Sequence, residues 1–379
     1  MSMQNYLGKD TPKLGFGLMR LPTLPGGTDR DIDIELVKKM VDLFLERGYT
    51  YFDTAFMYHG GMSEEALRQA VVERYPRDRY TVTDKMPLWD IKGREDYENI
   101  FQTQLKRTGL EYFDYYFLHG IGEGSLETLD KTGGWDYMKE LKERGLVKHI
   151  GFSFHSPAAC LDKILAAHPE VELVQLQLNY VDWESESVQS RLCYETCQKY
   201  NVPITIMEPI RGGSLAAMHP DAQKILKDYA PDKTPAYWAL RFCASLNGLI
   251  ACLSGMSTLE QVEENTRVMK DMEPLSEADR AVLDQVVKKL DSLPTIPCTG
   301  CKYCTTNCPK EIPTPGIIHQ LNEYTKYQNL TGAKRSYGMM TGRGGKASDC
   351  VGCKSCEEHC PQHLPITELL KKAADLFEG

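Results

Sequence analysis

Eight cysteines near the C-terminus have a spacing that suits metal binding. The motif C-x2-C-x2-C-x3-C-P occurs twice after residue 297 of the 379-residue sequence. The first copy contains Cys298, Cys301, Cys304, Cys308 and Pro309, and the second contains Cys350, Cys353, Cys356, Cys360 and Pro361. In a reducing compartment, thiols at short fixed spacing are better explained as metal ligands than as disulfide partners. We therefore predict that both copies hold metal.

The spacing is that of the bacterial ferredoxin motif, which binds [4Fe-4S] clusters. Three close thiolates hold three corners of one cluster, and the fourth cysteine reaches across to the other cluster. This pattern predicts one ligand set of Cys298, Cys301, Cys304 and Cys360, and a second set of Cys350, Cys353, Cys356 and Cys308. Structural zinc is the alternative, but zinc sites commonly pair two C-x2-C knuckles around each ion. The long segment between the copies resembles the mainly helical ferredoxin modules of respiratory dehydrogenases.

Four polar residues lie at or just beyond the C-terminal ends of short runs that are rich in β-branched and aromatic residues. Asp53 and Tyr58 lie in FDTAFMYHGG, Lys85 lies in TVTDKMP, and His119 lies in DYYFLHG. Taken singly, each has a structural explanation, because a lysine after a strand is commonly solvated and a histidine there is commonly packed in the core. If the runs are neighbouring strands of a barrel, all four side chains reach the end where barrel enzymes carry out their chemistry.

The elements that must position these residues alternate from about residue 14 to residue 290. We find eight strand-like runs: LGFGLM at 14, TYFDTA at 50, YTVTDK at 80, DYYFLH at 114, VKHIGFS at 147, LVQLQL at 173, VPITIM at 202 and LIACLS at 249. Helical patterns such as DIELVKKMVDLFLERG, SEEALRQAVVERY and STLEQVEENTRVMKD lie between them, and the first ends at Gly48. This alternation predicts an α/β fold of the (β/α)8 TIM-barrel type.

The barrel is expected to end before the cysteine motifs. A helical pattern over residues 276–291 is followed by the stretch SLPTIP, which stops regular structure. We predict a barrel domain over residues 1–292 and a small, mainly α-helical ferredoxin-like domain over residues 293–379. The basic segment GAKRSYGMMTGRGGK, between the motifs, is interpreted as a solvated loop, with charge compensation of the clusters as the alternative.

At this point the sequence resembles the aldo-keto reductase family, whose catalytic Asp, Tyr, Lys and His match Asp53, Tyr58, Lys85 and His119 in order and context. The segments KLGFGLMRLP, GFS and SGMSTLEQVEEN extend the resemblance over residues 10–290. It implies reduction of a carbonyl, or oxidation of an alcohol, with NAD(P)H. Tyr58 would donate the proton, Lys85 would lower the pKa of Tyr58, Asp53 would hold Lys85, and His119 would orient the carbonyl oxygen.

The resemblance also implies a set of cofactor contacts, although less clearly. They are Ser153, Gln175, Arg211, Gly212, Gly255, Ser257, Gln261 and Asn265. The helix that begins in GMSTLEQVEEN would hold the pyrophosphate through its backbone N–H groups. Met207 stands where the family commonly has an aromatic residue that stacks on the nicotinamide. The segment lacks a Lys or Arg for a 2′-phosphate, so the choice between NADH and NADPH stays open. His59 and His155 are further candidates for lining the pocket.

The barrel and the cluster-binding region do not form an obvious electron-transfer path, since a nicotinamide transfers two electrons and each cluster transfers one. Three arrangements resolve the mismatch: the clusters are structural or redox-sensing, a flavin binds in the barrel, or a partner flavoprotein docks as an electron carrier. A protein without catalytic activity that acts as a redox sensor or partner subunit is the alternative from another functional class.

Composition limits the partners and the compartment. The net charge of −9 gives no basic field for nucleic acid or for an anionic membrane. The N-terminal residues lack the pattern of a secretory signal, and no apolar run is long enough to span a bilayer, so we expect a cytoplasmic protein. The five cysteines outside the motifs are expected to be ordinary thiols: Cys160, Cys193, Cys197, Cys243 and Cys252.

Overall fold

Eight parallel strands close into a barrel in the computed structural model, which describes residues 12–270, 273–306, 308–342 and 344–379. Each strand pairs with its neighbours in the chain, and the last pairs with the first. The strands are β1 Leu14–Gly17, β2 Tyr51–Asp53, β3 Thr81–Pro87, β4 Phe113–Ile121, β5 Val147–Phe154, β6 Leu173–Gln177, β7 Ile204–Met207 and β8 Leu249–Ser254. The predicted TIM barrel is therefore confirmed, and each predicted run overlaps its strand, although β3, β4 and β5 extend beyond the ends of their runs.

Large aromatic and aliphatic side chains fill one core cluster of the barrel. Tyr51, Tyr115 and Phe117 are almost fully buried there, and Leu173 and Ile250 pack in the same cluster. Strands buried on both faces favour such residues over a strict polar and apolar alternation. The apolar runs were for this reason a reliable sequence signal.

Helices connect the strands. Those up to the cysteine motifs are α1 Ile34–Glu46, α2 Ser63–Leu67, α3 Arg94–Thr108, α4 Glu123–Thr132, α5 Gly134–Glu143, α6 Ala158–Ala167, α7 Ser190–Lys199, α8 Pro220–Tyr229, α9 Pro235–Ala244, α10 Leu259–Val268 and α11 Glu277–Asp291. The predicted stop of α1 is confirmed, because Gly48 has a φ of 84° that favours glycine. The helical pattern assigned to α10 continued to Asp271, which lies outside the described residues.

The second predicted helix is interrupted. After α2, residues Arg68–Val72 form a π-helical turn instead of continuing as α-helix. Turns of this kind insert one extra residue into a helix, and the hydrophobic pattern does not reveal where. The interruption lies on the segment that leads from Tyr58 towards β3.

By contacts, the described chain forms two compact units. One comprises the chain up to Pro209 together with Tyr237–Leu275 and contains all eight strands; the other comprises Ile210–Ala236 and Ser276–Gly379. The cysteine motifs therefore share a unit with α8 and α11. The helices that follow α11 are α12 Tyr303–Thr306, α13 Thr314–Tyr327, α14 Leu330–Thr341, α15 Ser355–Glu358 and α16 Ile366–Phe377.

The C-terminal region is mainly helical and has its own apolar core. Ile317 and Leu321 of α13 and Leu370 of α16 are buried in it. The interpretation of the basic segment as a loop was wrong for most of its length, because α14 covers it up to Thr341. The face formed by Ala333, Tyr337 and Thr341 is buried and repeats every four residues, so burial of this face stabilises a helix despite the glycines in the segment.

The chain also offers no transmembrane candidate in the part that is described. Within residues 12–270, 273–306, 308–342 and 344–379, no helix has both the length and the apolar composition of a membrane span.

Candidate active site

Lys85 and Asp53 form a buried ion pair inside the barrel. Lys85 lies on β3 and Asp53 ends β2, and the Lys85 Nζ donates a hydrogen bond of 2.6 Å to Asp53 Oδ1. The same Nζ donates to the carbonyl oxygen of Thr54 over 2.8 Å. Gln175 Nε2 donates to the second carboxylate oxygen of Asp53 over 3.1 Å. A buried charge pair is tolerated only when hydrogen bonds satisfy both partners, and both are satisfied here.

The rings of Tyr58 and His119 lie beside this pair. The Tyr58 hydroxyl is in hydrogen-bond contact with Lys85, whose Nζ is 5.0 Å from the centroid of the Tyr58 ring. The centroids of the Tyr58 and His119 rings are 6.0 Å apart, with the ring planes at 83°. Trp89 packs against His119 at 5.1 Å between centroids. The four residues selected from the sequence are therefore brought together towards the C-terminal ends of β2, β3 and β4.

Burial sets the protonation states of the two rings. Burial raises the pKa of Tyr58 above its ordinary value, and the Lys85 cation opposes this without reversing it. Lys85 therefore acts to lower the pKa of Tyr58, as expected, but the net pKa is raised, because desolvation of the phenolate outweighs the attraction of the cation. Burial, together with the charge of Lys85, lowers the pKa of His119 to about 3. At neutral pH the site presents a neutral phenol and a neutral imidazole.

His119 has an unsatisfied nitrogen. Its Nδ1 is buried and has no hydrogen-bond partner among the described residues. Leaving a buried polar atom unpaired costs about 1–3 kcal/mol, so such atoms mark places where a ligand supplies the missing partner. Lys85 remains charged here: burial acts to lower its pKa, but the Asp53 carboxylate holds the pKa above its ordinary value, and the Tyr58 phenolate acts in the same direction once it forms.

The two additional histidines have different roles. His59 is structural: its Nε2 accepts from the Leu21 N–H over 3.0 Å, and its Nδ1 lies 2.6 Å from the carbonyl oxygen of Asp29. Its assignment to the pocket is corrected, because the ring is buried with both nitrogens engaged. His155 lines a cavity of about 80 Å³ together with Gln177.

Several residues assigned to the cofactor are already engaged within the protein. The Ser153 hydroxyl accepts from the Gly120 N–H over 2.8 Å, and Gln175 donates to Asp53. Asn265 is buried and donates to the Ser254 hydroxyl over 3.0 Å. These side chains therefore hold the barrel end together, whatever else they contact.

The start of α10 is also partly satisfied internally. The Ser257 N–H donates to Gln261 Oε1 over 2.7 Å, and the Gln261 N–H donates to Thr258 Oγ1 over 3.3 Å. The Ser257 hydroxyl donates to the Arg20 carbonyl oxygen over 2.6 Å. Gly255, just before this turn, is exposed. The N-terminus of α10 is thus accessible to solvent at Gly255, next to N–H groups that are already capped.

Arg211 and Gly212 belong to the second unit and pair within it. Arg211 forms an ion pair with Glu323, and its guanidinium lies 4.6 Å from the ring centroid of Tyr327. The Gly212 carbonyl oxygen accepts from Asn329 Nδ2 over 3.2 Å. Both residues are therefore anchored to the cysteine-rich region of the chain.

The eight motif cysteines gather around two cavities of the second unit. One cavity is lined by Cys298, Cys301, Cys304 and Cys360. The other is lined by Cys308, Cys350, Cys353 and Cys356. Each cavity thus receives three cysteines from one motif and the last cysteine of the other, and both apolar and polar side chains, lysines among them, complete its walls. This donor set fits a thiolate-ligated cluster.

The two motifs also repeat in backbone conformation. Gly300 and Gly352 have φ values of 69° and 67°, and Lys302 and Lys354 have values of 66° and 60°. A left-handed backbone at equivalent positions turns each chain segment around its cavity. The C-x-G-C-K-x-C pattern shared by both copies is the sequence counterpart of this turn.

Comparison with known proteins decides the family. A model of the aldo/keto reductase family matches residues 13–288, well over half of the chain. The chain belongs to the aldo/keto reductase family. A second model, the 4Fe-4S dicluster domain, matches residues 297–364 of this aldo/keto reductase. The suspected combination of a reductase barrel with an iron-sulfur domain is confirmed.

The relatives and solved structures of this aldo/keto reductase agree with that assignment. An aldo-keto reductase from Mycolicibacterium vanbaalenii is 30% identical over 231 residues, covering 59% of this chain and 74% of its own length. A probable aldo-keto reductase from Glycine max is 27% identical over 214 residues, covering 54% of this chain and 58% of its own length, less than two thirds. A Klebsiella pneumoniae aldo-keto reductase solved in complex with NADPH shares the fold, with a TM-score of 0.60 at 20% identity over 76% of this chain and 96% of its own.

Sequence reasoning about this aldo/keto reductase missed one charged pair at the site. Arg20 Nη2 donates to Glu208 Oε1 over 2.8 Å, and the charge of Glu208 acts on Tyr58. Glu208 has a φ of 57°, which is uncommon for a residue other than glycine and often accompanies functional positions. The only sequence signal was its place directly after β7.

Proposed function

We propose that this aldo/keto reductase reduces a carbonyl to an alcohol, or runs the reverse reaction, with NAD(P)H. The contact between Tyr58 and the buried Lys85–Asp53 pair carries the proposal. This contact couples a phenol, which can give up a proton, to a cation that stabilises the phenolate that remains.

Tyr58 is the proton donor in this proposal. Its raised pKa keeps the phenol protonated at neutral pH, and protonation of the substrate oxygen leaves a phenolate next to Lys85. His119 cannot act as the acid, because its pKa of about 3 leaves it neutral. A neutral imidazole instead serves as a hydrogen-bond partner that orients the carbonyl oxygen. Asp53 and Gln175 keep Lys85 in place.

The cofactor contacts remain a proposal. When bound, the nicotinamide supplies the hydride for the carbonyl carbon. We assign its carboxamide end to Ser153 and Gln175, and its phosphate end to the segment from Gly255 to Gln261, where the helix dipole of α10 favours an anion. Asn265 donates a hydrogen bond to the Ser254 hydroxyl, directly before that segment, and so holds the start of the segment in place. Arg211 and Gly212 stay among the proposed cofactor contacts.

The C-terminal region, proposed as a separate domain over residues 293–379, is assigned two [4Fe-4S] clusters. The proposed ligand sets are the two groups of four cysteines that line the two cavities. The clusters would exchange single electrons with a separate carrier protein. A cytoplasmic location suits the free thiols, because a reducing compartment keeps such ligands available.

Replacement of Tyr58 by Phe tests the barrel half of the proposal. The phenyl ring keeps the packing but removes the proton, so we expect kcat to fall by about 10²- to 10⁴-fold while NADPH still binds. The measurement is the oxidation of NADPH with 4-nitrobenzaldehyde as the carbonyl probe, together with NADPH binding followed by fluorescence.

The matched control is Tyr112→Phe, because Tyr112 lies just before β4, at the opposite end of the barrel. It should keep wild-type kcat. A Tyr58→Phe enzyme with undiminished turnover would refute the assignment of the proton donor.

A further inference from the structure

Two buried carboxyl groups lie on the outer side of β3, behind Lys85. Asp84 and Glu64 are both 0% exposed, and neither belongs to the proposed reaction. Asp84 immediately precedes Lys85, and because successive residues of a strand point to opposite faces, its side chain leaves the barrel while that of Lys85 enters it. Glu64 belongs to α2, so the two acids come from different elements.

Each acid has one oxygen bound by a donor. Asp84 Oδ1 accepts from the Lys85 backbone N–H over 2.8 Å. Glu64 Oε2 accepts from Arg107 Nη1 over 2.9 Å, in an ion pair with an arginine whose side chain is 28% exposed. The other two oxygens, Asp84 Oδ2 and Glu64 Oε1, are buried and receive no hydrogen bond of normal geometry from a described donor.

The two carboxyl groups nevertheless interact directly, and each keeps one buried oxygen without a donor. Two ionised carboxylates both accept and neither donates, so a proton on one of them is what would satisfy both oxygens. Charge balance gives the same result. Arg107 neutralises Glu64 and Lys85 neutralises Asp53, which leaves no cation for an ionised Asp84 among the described residues in contact with it.

The pair is tied to the backbone of Lys85. The pairing of β2 with β3 ends at Asp53 and Thr83, two residues before Lys85. Beyond that point, side chains take the place of β2 as hydrogen-bond partners of the Lys85 backbone. Asp84 binds the Lys85 N–H, and Gln104 Nε2 donates to the Lys85 carbonyl oxygen over 3.1 Å.

Gln104 joins the same network from α3. It also contacts the Glu64 carboxyl group, and its own Oε1 accepts from the Tyr116 hydroxyl. The titratable groups that face the pair are therefore Arg107 from α3, Lys85 from β3 and Tyr116 from β4. Of these, only Arg107 is partly open to solvent through its side chain.

We propose that Asp84 and Glu64 share one proton and act as a positioning element that fixes the β3 backbone at Lys85. Asp84 holds the proton and donates it to the Glu64 carboxylate, while its other oxygen secures the Lys85 N–H. Burial and the nearby charge of Glu64 raise the pKa of Asp84 well above its ordinary value, in agreement with this assignment.

The variant Asp84→Asn provides the sharpest test, because an amide imitates the protonated acid. Its oxygen can accept from Lys85 and its NH₂ can donate to Glu64, but it does not ionise. In the wild type, folding raises the pKa of Asp84, so stability falls as pH rises above the unfolded value. We expect the melting temperature of Asp84→Asn to rise relative to wild type between about pH 5 and pH 8.

The matched control is Asp114→Asn. Asp114 is also buried, but it pairs with Arg77 at 2.5 Å and Lys148 at 2.8 Å, so the neutral amide should lower the melting temperature at neutral pH. Infrared spectra of the full chain should contain a protonated-carboxyl band at neutral pH that disappears in Asp84→Asn and persists in Asp114→Asn. Loss of stability in Asp84→Asn equal to that in the control, or an unchanged band, would overturn the shared proton.

The positioning role is tested by kinetics with NADPH and 4-nitrobenzaldehyde, and this part rests on the proposed function. Asp84→Ala should lower kcat by up to about 100-fold, because a small displacement of a reacting group can cost that much in rate. The KM for NADPH should not change. Asp84→Asn should retain wild-type kcat. Equal losses of kcat in Asp84→Ala and Asp84→Asn would contradict the positioning role. An inactive wild type would refute only the proposed reaction, since the melting and infrared results need no substrate.

Discussion

At the scale of single residues, the active site depends on which groups keep their protons. Tyr58 stays protonated because burial outweighs the nearby cation, and His119 stays neutral because burial and Lys85 disfavour its charged form. The types and order of the proposed catalytic residues were readable from the sequence. The direction of the Tyr58 pKa shift was not, because it depends on desolvation, which only the folded barrel defines.

Glu208 offers a residue-scale prediction. Its charge raises the pKa of Tyr58, so Glu208→Gln should lower that pKa. The activity in carbonyl reduction falls as pH rises through the pKa of the proton donor, so the alkaline limb of kcat/KM should move to lower pH. The lost ion pair with Arg20 is partly exposed and should cost at most about 1 kcal/mol of stability.

The pH profile with NADPH and the carbonyl probe measures this shift. Glu111→Gln is a suitable control, because it removes the same charge just before β4, away from the site. An alkaline limb that moves upward or stays in place would show that Glu208 does not act on Tyr58.

At the scale of elements, the strands were more predictable than the C-terminal helices. Long apolar runs indicated all eight strands, because a barrel strand is buried on both faces. Helix α14 covers most of the basic segment that was interpreted as a solvated loop, because burial of Tyr337, which only the packed region defines, stabilises it. The contact between Asp84 and Glu64 joins β3 to α2 and has no local pattern, so no reading of the sequence would find it.

The exchange of the last ligand between the two motifs gives the element-scale prediction. If Cys360 serves the cluster of the first motif, Cys298→Ser with Cys360→Ser removes ligands of one cluster only. That double variant should keep about four irons per chain, whereas Cys298→Ser with Cys308→Ser should lose both clusters. Anaerobic iron and sulfide assays distinguish the two outcomes.

Cys160→Ser is the control, since this thiol is buried in α6, lines neither cavity and should leave the iron content unchanged. The opposite ranking of the two double variants would mean that each motif supplies all four ligands of its own cluster.

At the scale of the whole molecule, one chain combines a two-electron site with one-electron centres. A nicotinamide transfers a hydride, and a cluster transfers a single electron, so the barrel does not feed the clusters directly without a further carrier. The combination of domains was predictable from the sequence, because the cysteine spacing and the strand-end residues are separate local signals. The sharing of one unit by α8, α11 and the cysteine motifs was not, because it rests on packing between segments far apart in sequence.

The most direct measurement is the metal and cofactor content of the full chain purified without oxygen. Iron, acid-labile sulfide, zinc and flavin should be determined per chain on the same sample. Two cubane clusters beside a nicotinamide-dependent barrel require about eight irons and about eight sulfides, with neither zinc nor flavin in stoichiometric amount. About two zinc ions per chain and no sulfide would contradict the account.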